Sequence, residues 1–187
     1  MRWTRLFDDL EAQLAGQERA ELALEVAEHV RAERGQVSLL DRLLVSGGAA
    51  VSLRVRGVGP VCGTVAEVGS GWLVLRAPAG GADRSRDLLV PLTAVLMATG
   101  LPARSDGRDA LAQRRLDLRH ALRALSRDRA VVRLTDVEGG QVTGTIDRVG
   151  LDHLDLADHP DDVPRRGPAV RQTHALPFDA VATVRQI

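Results

Sequence analysis

Hydrophobic and polar positions follow two different periods along this chain. From Val51 the period is two: Val51, Leu53 and Val55 alternate with Ser52, Arg54 and Arg56, the pattern of a strand with one buried face. Val61, Gly63 and Val65 continue on one face of a second strand, and Leu73 and Leu75 serve a third. Leu88 to Pro91 reads as a fourth strand and Ala94 to Met97 as a short fifth. Pro91 has no N–H to donate, so it belongs at a strand end where a tight turn begins. Beyond the linker Thr99 to Asp109 the period lengthens. Leu111, Leu118, Leu122 and Leu125 then form one stripe of a helix running to about Ser126, with Ser105 or Asp106 as its expected cap. Period two returns over Val131 to Leu134, Gln141 to Val149, His153 to Leu156, Thr173 to Leu176, and Val181 to Val184.

The second series of strands copies the first. Val61 to Leu75 reads VCGTVAEVGSGWLVL and Val142 to Leu156 reads VTGTIDRVGLDHLDL, an offset of 81 positions. Val90-Pro91-Leu92-Thr93-Ala94-Val95 returns 86 positions later as Leu176-Pro177-Phe178-Asp179-Ala180-Val181, so the copies differ by a few residues in one loop. Such repetition dictates the fold class. Five short strands in about fifty residues, the last two split by a turn, describe a small SH3-like barrel. The expected architecture is mainly β with helices: an N-terminal amphipathic helical segment (1–48), a first five-stranded SH3-like barrel (49–100), a linker and connecting helix (101–129) and a second tandem barrel (130–187).

Trp3, Phe7, Leu10 and Leu14 mark the apolar face of the N-terminal segment, which Gly16 and Gln17 interrupt and Ala20, Leu24 and Ala27 extend more narrowly. Residues 3–34 therefore read as a helix or helical pair that needs a cover from the first barrel or from a second chain. The third strands differ in the same sense. Leu73 and Leu75 match Leu154 and Leu156 as core positions, but the opposite face carries Trp72 and Val74 in one copy and His153 and Asp155 in the other. An apolar outer face calls for a cover, and the N-terminal helices or a second chain are expected over Trp72.

Charge adds a basic middle to this plan. The 25 basic residues, all arginine, balance 25 acids, but both ends of the chain are acidic and residues 108–130 are strongly basic. Arg115, Arg119, Arg123 and Arg127 recur every four positions and so form a ridge on the connecting helix. Such a ridge suits phosphates of RNA or DNA, or a paired acidic face such as the one carrying Glu18, Glu21, Glu25 and Glu28. Asp152, His153, Asp155, Asp158 and His159 crowd one strand and its end. His153, Asp155 and His159 are weak metal candidates, but their spacing matches no ligand motif and an exposed polar strand face explains them without a metal. Cys62 stands alone, which excludes an internal disulfide and fits a semi-buried thiol in a cytoplasmic protein. The N-terminal stretch has no signal-peptide or membrane-spanning apolar run. No nucleophile elbow, phosphate-binding loop, dinucleotide fingerprint or zinc-protease motif occurs, so no catalysis and no cofactor are expected.

The phrase Gly140-Gln141-Val142-Thr143-Gly144-Thr145-Ile146, followed by Leu176-Pro177-Phe178-Asp179-Ala180-Val181, resembles the C-terminal SH3-like barrel of ribosome maturation factors and, more loosely, Sm-like proteins. The resemblance spans the two barrels. It departs from the Sm pattern because His153-Leu154-Asp155-Leu156 lacks an Asn and no Arg-Gly pair follows the last strand. The helix–barrel–helix–barrel order also resembles uncharacterised proteins of GC-rich bacteria. Two functions follow as expectations. One is a non-enzymatic interaction or regulatory module acting through protein contacts, with a protein partner or self-association, through Trp3, Phe7, Leu10, Leu14, Trp72 and Val74. The other is RNA or ribosome binding through the Arg ridge and the barrel surface, which the resemblance implies.

Overall fold

The buried-to-exposed alternation expected from Val51 is present in the computed structural model: Val51, Leu53 and Val55 are buried while Arg54 and Arg56 are exposed. The structure describes residues 16–17, 19, 21–22, 24–26, 28, 31, 35–77, 87–103, 116–162, 165 and 170–187. Trp3, Phe7, Leu10, Leu14, Ser105, Asp106, Leu111 and Arg115 therefore lie outside the described residues. The chain divides into two compact units, Met1–Ser38 and Leu39–Ile187. In the first, the described residues from Gly16 to Gly35 are helical, with Leu22, Leu24 and Val26 exposed.

The second unit is mainly β. A short helix α1 (Leu39–Leu44) precedes β1 (Ala50–Val55), β2 (Gly59–Gly69), β3 (Trp72–Arg76), β4 (Asp87–Pro91), a 3-10 turn (Leu92–Ala94) and β5 (Val95–Thr99). Helix α2 (Leu118–Arg127) leads into β6 (Val131–Asp136), β7 (Gln141–Val149), β8 (His153–Asp158), β9 (Gln172–Pro177), a second 3-10 turn (Phe178–Ala180) and β10 (Val181–Gln186). The repeat extends to strand register. Val51 stands opposite Gly63 and Val132 opposite Gly144; Leu73 stands opposite Val90 and Leu154 opposite Leu176. Even the irregularities match, with a register shift at Val65/Glu67 in β2 and at Ile146/Arg148 in β7. An extra residue there bends the strand sharply.

Close backbone packing explains the matched glycines Gly63 and Gly144. A Cβ on Gly63 would stand 2.7 Å from the carbonyl oxygen of Arg76, and one on Gly144 would overlap the carbonyl of Ala157. Each glycine lets the bent strand lie against its neighbour with no side chain between them.

The two five-stranded copies are halves of one continuous sheet, ordered β5-β1-β2-β3-β4-β10-β6-β7-β8-β9, which does not close on itself. The joint is antiparallel, with Val184 opposite Leu89 and Arg185 opposite Leu88. Packing reinforces it. Leu43, Val51, Leu53, Val55, Val65, Leu73, Leu75 and Val90 form one core that also takes Ala182 from β10. Leu122, Val132, Leu134, Ile146, Leu154, Leu156 and Val184 form another that takes Trp72 and Leu89 from the first half. Each half thus finishes the other's interior, which makes residues 39–187 one unit rather than two beads.

Trp72 is 3% exposed, and its indole Nε1–H donates to the carbonyl of Leu116 at 2.8 Å. Leu116, just ahead of α2, and the second core enclose the ring. The helix begins at Leu118 in the described residues, and its N-cap is Asp117, whose carboxylate accepts the His120 N–H at 2.9 Å. On β8, His153 and Asp155 are half-buried. His159 is fully buried rather than part of an exposed polar face, and Cys62 is exposed rather than semi-buried.

Candidate functional site on the two flanks of the connecting helix

Helix α2 is held by Leu122, which is fully buried, and by Leu118 and Leu125, which pack against the same core. Leu118, Leu122 and Leu125 of the expected stripe therefore face β7 and the sheet, and the residues between their turns project to either flank. At the far end the Asp128 N–H bonds back to Ala124. Arg129 then takes a left-handed backbone (φ 48°), which only a few per cent of non-glycine residues adopt, and the chain turns into β6.

One flank forms an open groove of about 380 Å³. Trp72, Val74, Leu89 and Val184 make its sheet side, and Ala121, Ala124 and Leu125 its helix side. Its rim is polar. Arg76 and Asp87 form a two-pronged ion pair at 2.9 and 3.1 Å, and the hydrogen bond and charge of Asp87 hold the guanidinium above its ordinary range. Trp72 and Val74 thus stand together as the sequence suggested, as the wall of a groove inside the unit rather than as an open outer face.

The other flank is basic. His120, Arg123 and Arg127 of α2 face Asp147, Arg148 and Val149 of β7 across a groove of about 290 Å³. The carboxylate of Asp147 is engaged by Arg165 at 2.5 and 2.6 Å, and that contact raises the Arg165 pKa. Arg123 and Arg127 are exposed, so the flank presents positive charge to solvent. Arg119 differs from its ridge mates: it is half-buried, and its Nε has no hydrogen-bond partner among the described residues. Sequence periodicity found Arg119, Arg123 and Arg127. It missed Arg148, which joins Arg123 and Arg127 only because α2 lies along β7.

The metal candidates are engaged separately. His153 Nδ1 bonds Asp152 at 2.8 Å, and that hydrogen bond lowers the Asp152 pKa. His159 lies inside: its Nδ1–H donates to the Pro160 carbonyl at 2.8 Å, so its Nε2 accepts the Thr145 hydroxyl at 2.8 Å. Among the described residues no three His, Cys, Asp or Glu side chains are grouped to hold a metal ion. No described helix is long and apolar enough to cross a membrane. Compared with known proteins, the chain matches no family model, no curated protein and no solved structure; the functional reading rests on the geometry.

Proposed function

We propose that this protein is a non-enzymatic binding module, cytoplasmic, that acts through protein contacts and associates with itself. We read its halves as two SH3-like barrels fused through a shared edge; the matched registers of the two five-stranded copies support that reading. The observation that carries the function is β5. This terminal strand of the sheet bears no charge, and Leu96 and Met97 on it are 49% and 53% exposed. Edge strands of proteins that stay single are blunted by charge, proline or bulges; β5 has neither charge nor proline, and its register shift at Leu96 is repeated at Ala182 of β10, a strand that still pairs on both sides. Apolar residues on an uncharged edge fit a surface that is covered in use. Sedimentation velocity of the full-length chain over a broad concentration series is the test. The sedimentation coefficient is expected to rise with concentration, whereas a chain that sediments as a monomer throughout and captures no protein partner contradicts the reading.

The basic flank favours a second reading, RNA or ribosome binding, because Arg123, Arg127 and Arg148 share one groove and no described carboxylate there is free of Arg165. Reversing those three to Glu, with half-buried Arg119 left intact, is expected to weaken binding to a mixed-sequence RNA by roughly a hundredfold and to flatten its salt dependence by about one unit of slope per lost phosphate contact. RNA affinity unchanged by the reversal, measured by fluorescence anisotropy at several salt concentrations, rules this reading out.

A further inference from the structure

The sheet ends in two strands that correspond, through the repeat, to the two strands of its own internal joint. At that joint the fourth strand of the first copy, β4, pairs with the fifth strand of the second copy, β10. The strands left at the ends are the fifth of the first copy, β5, and the fourth of the second, β9. Among the described residues each pairs on one side only. Every strand carries N–H and C=O groups on both sides, so each end is a template for one more strand.

We propose that the occupant of each edge is a second copy of this chain, with β5 of one copy pairing antiparallel to β9 of the next in the register of the internal joint. This rests on the self-association proposed above and assigns its surfaces. The 86-residue offset of the repeat carries Val184 onto Ala98, Arg185 onto Thr99, Leu89 onto Ala175 and Leu88 onto His174. The pairs Val184–Leu89 and Arg185–Leu88 thus become Ala98–Ala175 and Thr99–His174 between copies.

The exposed apolar residues fall where this joint needs them. Ala182 of β10 lies in the core of the first half; its counterpart is Leu96, 49% exposed on β5, which enters the second-half core of the neighbouring copy. Leu89 of β4 lies in the core of the second half; its counterpart is Ala175, exposed on β9. Pro177 ends β9 as Pro91 ends β4, and Pro91 does not prevent the internal joint, so Pro177 does not block the external one. The external joint is smaller than the internal one, with Ala175 in place of Leu89 and His153 in place of Trp72, which makes it reversible. Because its two surfaces differ, it is head-to-tail, and repetition gives a closed ring or a filament rather than a symmetric dimer.

Leu96→Arg and Ala175→Arg test this in the full-length protein, since both sites are exposed in a single copy and an arginine at either leaves the cores untouched. Light scattering after size exclusion is expected to show wild type above the dimer mass, and each variant at the 20.1 kDa mass of one chain. An equimolar mixture of the two variants retains one intact β5 edge and one intact β9 edge. It is expected to give a one-to-one dimer and nothing larger. A symmetric β5–β5 joint would leave Ala175→Arg assembled, and a mixture that stays monomeric would equally overturn the head-to-tail joint. Assembly that persists unchanged in both variants would leave self-association standing and refute the assignment to these edges. A wild type that is monomeric at all concentrations would remove both.

Discussion

Trp72→Ala is expected to be among the most disruptive single truncations in residues 39–187. Its ring is a first-half side chain sunk in the second half's core, so its loss both opens a cavity and loosens the joint between copies. Large-to-small changes of a buried Trp cost about 3–5 kcal/mol, a large share of the roughly 5–15 kcal/mol that holds a domain folded. Trp72→Phe separates the two contributions. Phenylalanine keeps most of the volume but loses the indole N–H that donates to Leu116 at 2.8 Å, a change worth about 1 kcal/mol. Urea unfolding followed by circular dichroism ranks the three proteins: wild type, then Trp72→Phe, then Trp72→Ala. A Trp72→Ala midpoint matching wild type would show that the ring does not join the halves.

Gly144→Val is expected to fail for the opposite reason, excess volume. Valine is among the best strand formers, so local preference alone predicts a gain. The Cβ, however, lands on the Ala157 carbonyl of the neighbouring strand. Overpacking of this kind costs about 1–3 kcal/mol and sometimes more, and a clash with backbone, which cannot rotate away, belongs at the upper end. Gly63→Val meets the Arg76 oxygen at the longer distance of 2.7 Å, so its loss is expected to be smaller. Thermal unfolding of the two variants beside wild type checks both the sign and the order. A gain in melting temperature for Gly144→Val would mean that β7 and β8 separate at little cost.

Much of this fold was legible because the side-chain period of a strand is two wherever one face is buried. Val51, Leu53 and Val55, and the pairs Leu73/Leu75 and Leu154/Leu156, announce their inward faces without reference to a partner, and all are buried. The repeat carried that reading from one copy to the other, down to the matched glycines. Arg123 and Arg127, four apart, share an exposed helix face for the same local reason, whereas the burial of Arg119 depends on what packs beside the helix. Other features were not. Cys62 alternates out of the core as Thr143 does, but its degree of exposure depends on what stands beside the strand. His159 could not be told from a surface histidine, since its partners, Thr145 and the Pro160 carbonyl, act only once β7 and β8 are paired. Arg148 joins Arg123 and Arg127 only through the way α2 lies along β7.

By itself, then, the sequence determined that residues from Val51 onward form two copies of one five-stranded antiparallel unit, and which side chains of each copy turn inward, because alternation and repetition are properties of neighbours along the chain. Only the tertiary structure decided that the copies merge into one open sheet, that Trp72 belongs to the second half's core, and that β5 and β9 are left as edges. Strand edges pair through backbone N–H and C=O groups that every residue except proline carries alike, so the choice of partner leaves almost no mark on side-chain pattern and is settled by which edges the packed cores bring together.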